Sequence, residues 1–308
     1  VPRMITLTGF QQSVERFMCS VLARLDAKGL AGSNLAHLWA LVQEDLADPE
    51  AVRRRKLEAE LGFDPEECPE QALDAALQRE SQVGDAALSE LAPAIAASGA
   101  PPDLALIGQL ARADGIVGSP DVSPGSIDHL DHGAPWERAV HDARALRNKI
   151  GNVRGPVPDR SLHDLLGMSS EAAAKYSVPV GRSPVAVAIP TNDHRLKFVP
   201  RKRNPGGKRF ELARFLGEYL RPAADELRWL VSTDLWTFRQ KYQRAFAAEF
   251  LCPIDSLTSF LNGDFSSYAI EEAAAEFDVS EQTVTSLLRN NGYMHDHWTD
   301  GMPYRMAA

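Results

Sequence analysis

Apolar residues recur every three or four positions through the first third of the chain, the period that lays one face of an α-helix against a neighbour. Val14, Phe17, Met18, Val21, Leu22 and Leu25 make one such face, and Leu38, Trp39, Val42 and Leu46 make a second. Asp48-Pro49-Glu50 supplies a helix start: a capping carboxylate, a proline in the first turn and an acid near the positive end of the dipole. Gly62 ends that helix, and Asp64-Pro65-Glu66-Glu67 opens the next in the same way. Leu88, Leu91 and Ile95, then Leu104, Ile107 and Leu110, complete a helical N-terminal domain over 4–114. Its polar residues form no catalytic grouping, so docking or homo-oligomerisation through its helices is its expected role.

Between 115 and 134 the composition shifts to Gly, Pro, Ser and Asp, which reads as a linker. It holds Asp128-His129-Leu130-Asp131-His132, the densest His/Asp cluster apart from His295-Asp296-His297. Neither has a fixed metal-ligand spacing, and a solvated polar loop is the expectation. A second domain over 135–262 opens with a helix at Pro135-Trp136 carrying Val140, Ala143, Leu146 and Ile150 on one face; a short helix follows around Leu162, Leu165 and Leu166. The period then changes: Val185–Ile189 and Leu196–Val199, separated by Thr191-Asn192-Asp193, read as a small antiparallel hairpin.

A helix is expected from Lys208 to Leu220, with Phe210, Ala213 and Gly217 spaced for close packing and Pro222 limiting it. The next is expected to start after Asp234 as cap and to stop at Pro253, with Ala245, Phe246, Ala247, Ala248 and Phe250 marking tight contact with a neighbour. Residues 263–294 read as a helix-turn-helix-like pair around Asp278-Val279-Ser280, and 295–308 as a tail with Trp298 and Tyr304. The fold class is α+β, mainly α.

Composition changes this picture only at its margins. A chain of 308 residues has room for two cores. No apolar run approaches the ~20 residues of a membrane span, and no leader pattern is seen, so a cytoplasmic, membrane-free protein is expected. Val1-Pro2-Arg3 before Met4 has the form of a cleaved-tag remnant, which would make Met4 the natural start. Cys19, Cys68 and Cys252 show no CxxC spacing and suit a reducing compartment. The net charge of −9 weighs against a general nucleic-acid binder. A local basic run remains: Arg201, Lys202 and Arg203, then Lys208 and Arg209. It lacks the GxxxxGK[ST] spacing of a phosphate-binding loop, and no cofactor is expected.

From Trp136 to about Met294 the chain resembles the ImmA/IrrE family of zinc-dependent endopeptidases, through Arg209-Phe210, Ala213, Gly217, Phe246-Ala247-Ala248, Leu251 and Pro253. Family members carry two short strands, then Arg-Phe-x-x-Ala-His-Glu-x-Gly-His, then an acidic ligand ahead of a Phe-Ala-Ala segment. The resemblance implies a zincin-like domain. It also places Arg214 at the first zinc-binding His, Phe215 at the catalytic Glu and Glu218 at the second His, with the third ligand near Gln240 or Tyr242. Two His one helical turn apart can share a zinc, and the Glu between them polarises its water. Arginine has no lone pair to give and phenylalanine is no base, so a pseudo-peptidase is expected.

Arg214 and Glu218 are four apart on one helix, a spacing that allows an ion pair in place of the metal. Alternatively both point to water, or Arg214 with Arg209 and Arg244 forms an anion-binding cleft. The leading functional expectation is a non-catalytic protein that holds a protein partner, of regulator or repressor type, through the β-edge and cleft. The resemblance implies a setting in bacterial regulation, stress response or defence against mobile elements. A DNA-binding regulator is the alternative, reading bases through Gln282, Thr283, Ser286 and Arg289 while Arg201, Lys202, Arg203 and Lys208 touch phosphates. A metallopeptidase with relocated ligands is the third.

Overall fold

The computed structural model describes residues 5–99, 103–123, 125–130, 132–178, 183–221 and 228–294. The expectations for Val1 to Met4, Asp131, Pro222 and the tail from His295 lie outside the described residues. In chain order the helices α1 (Leu7–Asp26), α2 (Asn34–Ala47), α3 (Pro49–Glu60), α4 (Glu70–Val83), α5 (Asp85–Ala96) and α6 (Ala105–Arg112) come first. Strand β1 (Ile116–Gly118) follows, then α7 (Pro135–Lys149), α8 (Asp159–Leu165), α9 (Ser170–Lys175), β2 (Val185–Pro190) and β3 (Leu196–Val199). The chain continues through α10 (Pro205–Leu220), β4 (Leu230–Thr233), α11 (Phe238–Leu251), α12 (Ile254–Leu261), α13 (Ser267–Phe277) and α14 (Glu281–Asn290).

Side-chain oxygens start most of these helices by accepting a free first-turn N–H. Asp48 accepts from Glu50 N, with Pro49 in the first turn as its sequence suggests, and Asn204 caps α10 by accepting from Gly207 N. The cap of α11 is Thr237, not Asp234: the Thr237 hydroxyl accepts from Gln240 N, while Asp234 turns to Arg201.

The four strands form one antiparallel sheet in the order β1-β3-β2-β4. The expected hairpin is its centre, pairing Val187 with Val199 and Pro190 with Leu196, and Thr191 N donates to Arg195 O at 2.8 Å to close the turn. Alternate side chains of a strand face opposite ways. Val185, Val187 and Ile189 therefore join the core of α3 to α6, while Ala186 and Ala188 face α7, α8, α10 and α11. Small residues on that second face let Leu212 and Phe215 of α10 pack close to the sheet beside Phe198 of β3.

Two boundaries expected from the sequence shift. Residues 116–118, expected within a linker, are the edge strand β1, pairing Ile116 with Phe198 and Gly118 with Leu196. The helical N-terminal unit shares its core with the sheet: α5 packs on β2 and β4, and Leu88, Leu91 and Val83 belong to the same buried cluster as Val231 and Trp229. A three-residue strand is too short to show a period, so the Gly/Pro-rich composition around it dominated the reading. Helices α12 to α14 close the chain around their own small core of Leu257, Leu261, Ile270, Phe277, Val284 and Leu288.

Candidate functional site

Helices α10 and α11 lie against each other and against β4. They meet at Gly217: a Cβ placed there would sit 2.5 Å from the Phe246 ring, so only glycine fits between the helices here. Most of the packing residues singled out in the sequence are engaged here, while Ala248 packs against the core of α12 to α14. Ala213, Phe246 and Ala247 are fully buried, and the Phe246 ring stacks between Tyr242 at 6.3 Å and Phe250 at 5.8 Å.

The positions that the family resemblance assigns to zinc chemistry are buried too. Arg214 is 3% exposed and reaches β4, where Nη2 donates to the Thr233 carbonyl at 2.7 Å and to Gln240 Oε1. The same Gln240 oxygen accepts from Thr233 N at 2.8 Å, and Gln240 Nε2 donates to Val231 O at 3.0 Å. Gln243 adds a second donor to Val231 O at 2.8 Å. Burial, reinforced by the neighbouring Arg244 guanidinium, pushes the Arg214 pKa down to about 9, which still leaves it a cation at neutral pH. Its Nε is buried with no hydrogen-bond partner.

These contacts seal a strand edge. Thr233 N–H is taken by a side chain, so Thr233 and Val231, two residues apart, point their backbone groups away from β2. Thr233 N, Thr233 O and Val231 O are bonded to Arg214, Gln240 and Gln243, and just before the strand Trp229 N donates to Val83 O. An edge strand with free N–H and C=O groups invites another strand. Of the two edges of the sheet, the one on β4 is therefore bonded from within the chain at Val231 and Thr233.

The expected Arg214–Glu218 pair is also replaced. Glu218 accepts from Arg239 and from Gln243 Nε2 at 3.2 Å, with Arg221 beside it at 3.4 Å. Arg214 bonds β4 and Gln240 of α11, while Glu218 bonds Arg239 and Gln243 of α11, so the two charges use different partners. Phe215 is a core residue, tilted against Phe198 with centroids 5.9 Å apart. Tyr242 donates its hydroxyl to Asp142 Oδ2 at 2.6 Å, and burial followed by the Asp142 charge pushes its pKa up.

His129 meets that same Asp142 oxygen through Nδ1 at 2.8 Å and is 10% exposed, so part of the expected solvated loop turns inward. Among the described residues no group of three His, Cys, Asp or Glu side chains is placed to hold a metal ion.

The basic run is largely committed to internal partners. Arg201 is 6% exposed at its side chain and joins Glu211 and Asp234, Lys208 donates to the carbonyls of Ala173 and Tyr176, and Arg209 meets Asp159 and Val157 O. Lys202 lies 3.8 Å from Asp234, and Arg203 is exposed. On α14, Gln282, Ser286 and Arg289 are exposed, while Thr283 packs against its cap, its N–H donating to Ser280 Oγ at 3.1 Å. Glu271, Glu272, Glu276 and Glu281 are exposed on the same pair of helices.

The exposed feature nearest the network is one that sequence reasoning missed. Arg244 donates to Leu235 O at 2.8 Å and lies 4.9 Å from the centroid of Trp236, a ring that is 68% exposed. Phe238 is exposed beside it in sequence. A tryptophan three residues after an edge strand carries no motif, and only the β4–α11 turn brings it to the surface. Two surface grooves lie elsewhere, one between Arg154, Pro156, Asp255 and Phe260, the other between Arg54, Glu58 and Glu66.

Compared with known proteins, the chain matches no family model, no curated protein and no solved structure. No helix among the described residues is long and apolar enough to cross a membrane.

Proposed function

We propose that this chain is a non-catalytic, ImmA/IrrE-like protein with a zincin-like second domain, whose work is to bind a protein partner of regulator or repressor type. The observation that carries the reading is the internal commitment of Arg214, Gln240 and Glu218. Side chains at the resembled metal-binding positions bind strand β4 and helix α11 rather than converging on an open centre. A guanidinium cannot ligate zinc, and Phe215 sits where the catalytic base would be.

With the β4 edge sealed, partner binding moves to the turn that follows it. Trp236 stacked on Arg244 pairs the two side chains most enriched at interface hot spots, on a short turn held by Thr233 and Thr237. The DNA-reading alternative has less support. Arg201 and Lys208 are engaged internally, and the α13–α14 pair presents four exposed glutamates, where a DNA reader needs cations for phosphate contact.

The test combines metal content with partner retention. Purified protein should hold no stoichiometric zinc, and protein that co-purifies with the wild-type chain should be lost with Trp236→Ala while the fold is kept. Stoichiometric zinc with metal-dependent cleavage would overturn the non-catalytic reading. Salt-sensitive binding to duplex DNA that Gln282→Ala weakens would favour the alternative.

A further inference from the structure

Helix α1, the longest among the described residues, has not one buried side chain, and α2 has none either. Every later helix buries at least one residue. Among the described residues, more than half of the large apolar side chains left exposed fall within residues 5–46. Short helices in water are marginal on their own and draw their stability from packing of an apolar face. Here that packing is missing inside the protomer.

The pattern on α1 is a seam. Leu7, Phe10, Val14, Phe17 and Val21 follow steps of three, four, three and four, the a and d positions of a coiled coil over about 20 Å. Leu7 is 72% exposed, Phe10 52% and Phe17 66%. Towards the end of α1, Val21, Leu22 and Leu25 are half-buried, as are Leu35 and Trp39 of the adjoining α2. On α2, Leu38, Leu41 and Leu46 are exposed as well. Each exposed side chain leaves on the order of 100 Å² in water, so the α1–α2 hairpin offers roughly the 800 Å² per partner of a stable interface.

The residues flanking the seam decide the occupant. Charged e and g positions select a partner of opposite sign, but Gln11, Ser13, Met18 and Ser20 fill these places and carry no charge. The charges of α1 are Glu15, Arg16, Arg24 and Asp26, which cancel and lie outside those flanks. A chain with a net charge of −9 thus has a neutral strip along α1, and of the two acids on α2, Glu44 and Asp45, the second is paired with Arg55. A membrane-surface helix would instead carry Lys and Arg across its polar face.

We propose that α1 and α2 of one chain pack against α1 and α2 of a second copy, forming a two-fold, four-helix interface along the Leu7–Val21 seam. The pairing is independent of the partner surface at Trp236.

Sedimentation equilibrium of the full chain tests it. The wild type should be dimeric at micromolar concentration. Phe10→Glu with Phe17→Glu should weaken association at least a hundredfold, with helical circular dichroism of the protomer kept because both rings are exposed in it. Phe10→Lys with Phe17→Lys should do the same, and mixing the two variants should restore a dimer. Cys19→Ser, on the opposite side of α1, should leave association unchanged. A monomeric wild type, or a dimer indifferent to both charged pairs, overturns the proposal. Capture of a different protein by a monomeric wild type would assign the seam to that protein instead.

Discussion

Arg214 Nη2 donates to the carbonyl of Thr233 at 2.7 Å, so a buried cation on α10 terminates the outer edge of β4. Gln240 completes the contact from α11 by bonding both Arg214 and Thr233 N. Replacing Gln240 with Leu would leave the Thr233 N–H without its acceptor and Arg214 with one acceptor fewer. The expected cost is about 2–4 kcal/mol, read from urea unfolding. A loss below about 0.5 kcal/mol would show that the network does not hold the helices to the sheet.

Gly217→Ala should be costly for a different reason. The added methyl would meet the Phe246 ring at 2.5 Å, and backbone helices cannot separate there without opening the core. Overpacking of this kind costs about 1–3 kcal/mol. Gly206→Ala, where nothing lies within 4 Å, is the control and should stay within about 0.5 kcal/mol of wild type.

Placing the resembled family's motif residues at these positions should not create a peptidase. The triple change Arg214→His, Phe215→Glu and Glu218→His would put a carboxylate into the fully buried place of Phe215, remove the Arg214 donor from Thr233 O and take from Arg239 its Glu218 carboxylate. Each of those losses costs several kcal/mol. Thermal unfolding should drop steeply and zinc should not rescue it. A folded, zinc-loaded triple variant would contradict the structural role given to these positions.

Glu90 offers a pH readout. It is 5% exposed, accepts from the Thr237 hydroxyl at 2.7 Å, and burial raises its pKa. Above the unfolded carboxyl value near 4.3, the unfolded chain gives up this proton while the folded chain still holds it. Stability therefore falls as pH rises from there through the folded pKa. Glu90→Gln keeps an oxygen for Thr237 and removes the titration, so the variant should gain on wild type across that window and lose its advantage below about pH 4. A constant difference between pH 3 and pH 7 in chemical unfolding would show that Glu90 is not the group responsible.

Much of the architecture was legible locally. The helices over Leu7–Asp26 and Pro49–Glu60, the hairpin of β2 and β3, and the packing frame of Ala213, Gly217 and Phe246 all have periods or caps that neighbouring residues set among themselves. Strands β1 and β4 were not legible: the equally short β3 is tied to β2 by a turn signal, whereas the identity of β1 and β4 comes from pairing with chain far away. The ion pair read from the spacing of Arg214 and Glu218 failed for the same reason. Helical spacing puts two side chains on one face, but the partners are chosen by what the face meets, here Thr233 and Gln240 for one and Arg239 for the other.

The sequence alone determined that residues 208–251 carry a tightly packed helix pair and that Arg214 and Phe215 cannot do zinc chemistry, since both follow from side-chain volume and donor type. The tertiary structure decided what those residues do instead. A long-range contact between α10, α11 and β4 turns Arg214 and Gln240 into the seal of a strand edge and leaves Trp236 at the surface. It also decided that the first two helices, amphipathic in sequence, find no core of their own, because the sheet face is already covered by α3 to α6.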